Sequence, residues 1–277
     1  MGGLERADGD RVNRNSNVAV VWLTRGAIVV VALAAWQLLP QIERLRDFSP
    51  IFDPFFVSSP DLVAHRMWAL AIGSHGPYIW PYLAATLEGT LVGAAIGIAA
   101  GVAVGLVLSN NARLTEIVGP FVAALNAVPR IALIPIIVIL LGPSLGASIA
   151  TAVLVVFFIA FYNAFEGGRS VPRDVIDNAL LLGASNMRIL LHVRLPYAGA
   201  WTFAALPNAL SFGLISVVTA EILTGTLGMG RLMLNALTAA DAGLTFSVVV
   251  YLSVAGLTLV GLSSELRRRW LHWWART

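Results

Sequence analysis

Six long apolar runs divide the chain, at residues 18–39, 82–108, 117–141, 145–165, 197–223 and 243–262. Each is about as long as, or longer than, the ~20 residues a helix needs to cross the hydrocarbon core of a bilayer. Between the runs the pattern turns polar or irregular. The pattern predicts an all-α polytopic membrane protein with six transmembrane helices in one domain over 18–277. Residues 1–17, polar and of mixed charge, read as a disordered cytoplasmic tail, too long and too mixed for a secretory signal.

The second run carries Gly89, Gly93, Gly97, Gly101 and Gly105 at every fourth position. That spacing lines small residues along one helix face, where another helix can approach closely. The third run is interrupted by Pro120, Pro129 and Pro135, each lacking an N–H and freeing carbonyls that need other partners. Ahead of the second run, Ser59-Pro60-Asp61 opens a short helix with Ser59 at the N-cap. Leu62, Val63, Met67, Trp68 and Leu70 give that helix an apolar side. It reads as an interfacial helix on the outer face, either packing on the membrane surface or offering a platform to an external protein.

The longest interruption among the later runs, 167–196, is neither apolar enough to span nor polar enough for a free loop. Val175, Ile176, Ala179, Leu180 and Leu182 recur near helical spacing, then Met187, Leu190 and Leu191, with a break at Gly183. Arg188, His192 and Arg194 lie between them. Gly183-Ala184-Ser185 leaves room for another backbone. So much leucine in a loop predicts that it packs on a partner.

Composition excludes a soluble protein: 58% of the 277 residues are hydrophobic, 12% are charged, and mean hydropathy is +0.81. With no cysteine, disulfides and thiolate metal sites are excluded. Every positive side chain is arginine. If both termini are cytoplasmic, thirteen arginines fall on the inner segments and four on the outer, with Arg130 inside a span. This asymmetry supports that orientation and opposes the inverse. A phosphate loop ending Gly-Lys-Ser/Thr is impossible without lysine, so the chain carries no such nucleotide site. His65, His75, His192 and His272 are dispersed, which argues against an intramembrane metalloenzyme, and a docking loop argues against a channel.

Arg130 stands about thirteen residues into the third run, beside Asn126. A charge at that depth must face the bundle, a water path or an acid. Two readings stay open. Arg130 holds the bundle by bonding proline-freed carbonyls or pairing with Glu221 or Glu88, or it lines the pathway and offers a guanidinium fork to an anion.

The sequence Asp177-Asn178-Ala179, Gly183, Val193, Leu195-Pro196 resembles the cytoplasmic loop of binding-protein-dependent ABC importer permeases. That loop reads Glu-Ala-Ala, three residues, Gly, nine residues, Ile, one residue, Leu-Pro. Every anchor is in register, with Asp177 for the family Glu and Asn178 for the first Ala. Pro129-Arg130-Ile131-Ala132-Leu133-Ile134-Pro135, Asn163 after Phe161-Tyr162, Ala220-Glu221 and Gly228-Met229-Gly230 are similar to elements of the nitrate, sulfonate and taurine branch.

The resemblance implies a type I ABC importer permease fold in a bacterial plasma (inner) membrane, multi-pass and not itself an enzyme. It implies coupling to an ATPase through Asp177, Ala179, Gly183, Ala184, Ser185, Val193, Leu195 and Pro196. Pathway, substrate or gate roles are expected for Arg130, Asn126, Glu221 and Asn163. The implied partners are two ATPase subunits carrying ATP and Mg, a second permease copy or paralogue, an external solute-binding protein and the bilayer. No cofactor, metal or nucleic acid on the chain itself is expected. The implied solute is a small organic or inorganic anion, or alternatively a thiamine-precursor pyrimidine or an aromatic carboxylate.

Overall fold

A computed structural model describes residues 4–42, 57–74 and 76–270. The aromatic and proline-rich stretch 43–56, His75 and the C-terminal tryptophans Trp273 and Trp274 lie outside the described residues. The described residues form helices and turns, with no strand among them. In chain order the helices are α1 (Leu4–Leu38), α2 (Pro60–Ile72), α3 (Ile79–Ser109), α4 (Ala112–Ala127), α5 (Ile134–Leu141) and α6 (Leu145–Arg169). Then come α7 (Arg173–Leu181), α8 (Asn186–Ile189), α9 (Leu195–Thr224), α10 (Met229–Thr238) and α11 (Ala242–Trp270).

Five stretches are long and apolar enough to cross a membrane, around α1, α3, α6, α9 and α11. The expected sixth, 117–141, is divided. Helix α4 ends at Ala127, a 3-10 turn covers Arg130–Leu133, and α5 runs only eight residues. At ~1.5 Å per residue, α5 spans about 12 Å and cannot cross alone. The prolines explain the break: Pro129 disfavours helix at the residue before it and removes a donor, and Pro135 sits in the first turn of α5, where its missing N–H costs nothing. At the other end of the chain, α1 runs unbroken from Leu4, so most of the stretch read as a tail is continuous with the first spanning helix.

The core is α3 clasped against α6, with α9 laid across both. The glycine spacing dictates the contact. A Cβ on Gly97 would stand 2.9 Å from the Val153 carbonyl oxygen, and one on Gly101 would stand 2.6 Å from that of Phe157. One on Gly105 would stand 2.7 Å from that of Phe161, and Gly93 faces Ala152 as closely. The two backbones therefore touch along four glycines. Gly89, the fifth of the series, faces Val217 of α9 instead. On the side of α6 turned to α4, Phe157, Phe161 and Phe165 stack with centroids 5.7 and 6.1 Å apart and pack with Val118 and Val122.

The end of the bundle away from the central loop is closed by a second apolar layer. Leu70 of α2, Ile79, Met229 and Leu232 of α10 and Val248 of α11 form one buried cluster. Tyr251 donates to the Met67 carbonyl at 2.9 Å, and Arg66 pairs with Asp241 at 3.3 Å. In α2, Val63, Ala69 and Leu70 are buried while Leu62 and Trp68 are exposed. Ser59 occupies the N-cap position, although its side chain accepts no capping bond. By contrast α1 presents most of its apolar surface outward, with Trp22 and Leu23 exposed. It meets the body near its C-terminal end, where Trp36 donates to the Val57 carbonyl and lies against Phe246.

Candidate functional site

The loop between α6 and α9 folds as two short helices broken at Gly183. The Gly183 N–H bonds the Leu180 carbonyl and the Ala184 N–H bonds that of Ala179, both at 2.9 Å. This pair of bonds closes α7 as a Schellman cap and requires a left-handed residue, supplied by Gly183 at φ 78°. Glycine is thus needed here for conformation; a Cβ at the position would meet nothing within 4 Å. Ser185 restarts the chain, its Oγ accepting from the Arg188 N–H at the head of α8.

The cap pushes an apolar knob outward. Leu181 is 85% exposed and Leu182 88%, and Leu180, Met187 and Leu191 are exposed beside them. The other side of the loop is anchored: Ile189 is buried, and Leu190 packs on Leu106, Ala164 and Ala198. Of the motif anchors, Asp177 and Ser185 are exposed, Ala179, Ala184, Val193 and Pro196 half-buried, and Leu195 at the edge of exposure.

From Asn186 the chain is helical without interruption into α9, through a π-helical turn at Leu190–Arg194. Pro196 accounts for the wide turn, because an α-helical turn would need its absent N–H and would crowd the carbonyl four residues back. Arg194, at the end of that turn, donates through one terminal nitrogen to the Ser109 carbonyl and to the Gly168 carbonyl, each at 2.7 Å. Those carbonyls close α3 and α6, whose last turns have no partners of their own.

A cleft of about 560 Å³ lies between α6 and α9, in the half of the bundle nearer the loop. The indole of Trp201, the amides of Asn163 and Asn208, and the small Ala204 and Ala205 line it. Asn163 donates to the Ile159 carbonyl at 2.8 Å, leaving its side-chain oxygen free to accept. Asn208 is exposed midway along α9, a costly position in hydrocarbon and a stable one beside water or a second polar surface. The lining carries no charged side chain.

Glu221 does not reach this cleft. It is 1% exposed and its carboxylate lies within 2.9 Å of both the Thr86 hydroxyl and the Gly230 N–H. Thr86 in turn accepts from the Met229 N–H at 2.8 Å. The Gly228-Met229-Gly230 element is small where this requires it: a Cβ on Gly228 would overlap the Glu221 carboxylate, and one on Gly230 would strike the Val218 carbonyl. Glu221 thus ties α9, α3 and the start of α10 together, and its carboxylate is taken up there. Glu88, two residues beyond Thr86 on α3, is exposed. The side chains of Asn126 and Arg130 lie outside the described residues. Among the described residues no three acidic or histidine side chains gather as a metal site.

Sequence reading singled out the loop and Asn163. It missed Trp201 and Thr86, and it saw Arg194 without its partners, which come from other helices.

Residues 93–272 match the family described as binding-protein-dependent transport system inner membrane component. The riboflavin transport system permease protein RibX of Chloroflexus aurantiacus is 30% identical over 223 residues, 80% of this chain and 82% of that one. The nitrate import permease protein NrtB of Leptolyngbya laminosa is 25% identical over 164 residues, 59% of each chain. Among solved structures, the MetNI methionine ABC transporter in inward-facing conformations aligns with a TM-score of 0.58 at 21% identity. That alignment covers 67% of this chain and 92% of the other, and it is a likeness of fold.

Proposed function

We propose a docking mode and a solute class for a chain that belongs to the family of binding-protein-dependent transport system inner membrane components. It is a permease subunit of an ABC importer, a multi-pass inner-membrane protein with the type I fold and no catalytic activity of its own. Such a subunit works with an ATPase and a binding protein.

In our reading the 173–194 loop docks in a groove of the ATPase on the cytoplasmic side. The observation that carries this is the Leu181–Leu182 knob, exposed on the tip of a capped and rigid turn. Burying a leucine contributes about 1.5–3 kcal/mol, so two account for a sizeable part of a stable interface. ATP, with Mg, closes a pair of such ATPases, the loop moves with them, and α9 moves as its continuation. Two permease copies, or this one and a paralogue, then alternate between inward and outward access because nucleotide favours one arrangement. Replacing both leucines with glutamate tests the docking: the ATPase should no longer co-purify with a permease that still runs as a folded species. Retention of the ATPase would reject it.

For the solute, the uncharged cleft favours a planar, hydrogen-bonding and neutral ring, such as a pyrimidine, over the small anion. An indole face stacks on a ring, and two amides match ring edges. The anion reading relies on Arg130. The names of the relatives span both classes, riboflavin and nitrate. Uptake by cells carrying the whole importer decides: a flavin or pyrimidine should compete with the transported solute, whereas competition by nitrate or a sulfonate alone would reject the ring.

A further inference from the structure

We propose that Arg194 is the positioning residue that carries movement of the docking loop to α3 and keeps the end of α6 in step with α9. This rests on the docking reading above.

Three observations converge on it. First, residues 186–224 form one continuous helical rod, so a displacement at the loop reaches the base of α9 without a hinge to absorb it. Second, two Arg194 bonds, 2.7 Å each, tie that base to Ser109 at the end of α3 and Gly168 at the end of α6. Both acceptors lie at the negative ends of helix dipoles, where a fixed cation is favoured. A planar guanidinium holds two carbonyls in one geometry, which a flexible ammonium does less well. Third, the three helices meet there with no slack. A Cβ on Gly168 would overlap the Ser109 hydroxyl, and one on Gly167 would stand 2.9 Å from Ala198 and Trp201. Close contact resists compression, but apolar surfaces can slide or part. The two directed Arg194 bonds add to the packing in resisting parting, so a pull on the loop draws α3 and α6 along with α9.

The Arg194 Nε is buried and has no partner among the described residues. A purely structural arginine at a fixed site would be expected to satisfy it, since an unpaired buried donor is costly. A group that exchanges partners as the helices shift keeps a donor in reserve.

The test uses the assembled importer in proteoliposomes with Arg194→Met, which keeps an apolar stem, and Arg194→Lys, which keeps the charge. The readout is solute moved per ATP hydrolysed, alongside spin-label distances at the loop and at the end of α3 with and without ATP. Co-purification of the ATPase with the unaltered chain checks the docking reading separately. Arg194→Met should lower the ratio about tenfold, the size of an ordinary coupling between sites, and Arg194→Lys should lower it less, about threefold. ATP should still displace the loop label in Arg194→Met but no longer the α3 label. A wild-type ratio with concerted movement in Arg194→Met would overturn the proposal. Should Arg194→Met fail to assemble, Arg194→Lys decides: a reduced ratio supports the proposal and an unchanged ratio overturns it.

Discussion

The Glu221 carboxylate and the Thr86 hydroxyl meet at 2.9 Å although 135 positions separate them in the chain, and both residues are wholly buried. The contact joins α9 to α3, and the Gly230 N–H completes it from α10. Removing the acceptor would strand two buried donors, at about 1–3 kcal/mol each. Glu221→Ala should therefore lower the thermal unfolding midpoint of the purified permease by several degrees. Glu221→Gln, which keeps an oxygen acceptor, should lose less. Because Glu221 lines no described cleft, Glu221→Gln should still support uptake; loss of uptake at unchanged stability would restore the gate role suggested by its sequence.

Gly101 and Gly119 offer a matched pair of probes. A Cβ on Gly101 falls 2.6 Å from the Phe157 carbonyl oxygen, whereas one on Gly119 meets nothing within 4 Å. Since the obstruction at Gly101 is backbone, it cannot rotate away, and overpacking costs about 1–3 kcal/mol or more. Gly101→Val should abolish the monodisperse peak in size-exclusion chromatography, while Gly119→Ala should leave it intact.

Trp201 and Asn208 should govern the handling of solute. A ring stacked on the indole gains about 0.5–1.5 kcal/mol beyond the area it buries. Trp201→Ala should accordingly raise the transport KM for a ring solute several-fold, with Trp201→Phe intermediate. Asn208→Ala should act in the same direction. Titration of uptake rate against external solute measures this, and an unchanged KM in both alanine variants would remove the cleft from the pathway.

The apolar helices were legible in the sequence because a bilayer leaves backbone groups no partners but those within a helix. Their ends were less so. Helix α6 continues through Glu166 to Arg169 and α3 extends from Ile79 to Ser109, since a helix can run on into the polar zone after the apolar run stops. Arginine at 130 and prolines at 129 and 135 marked the third segment as unusual, yet its apolar length read as one span while the prolines divide it. Gly183 was placed correctly as a break by its position after a periodic run, but its left-handed cap was not foreseen. The long-range pairs, Glu221 with Thr86 and Arg194 with Ser109 and Gly168, leave no periodic trace. Their partners are backbone atoms or a common hydroxyl, which the sequence does not distinguish from any other.

The central claim is that the loop tip touches the ATPase, and the chain's lack of cysteine makes a direct test possible. A single Leu182→Cys, joined by a short bifunctional linker, should give a permease–ATPase adduct in membranes containing the assembled importer, with a yield that changes on adding ATP. Leu257→Cys, also well exposed but on α11 far along the chain from the loop, should give none. An assembled, transporting complex in which Leu182→Cys forms no adduct with the ATPase would contradict the account.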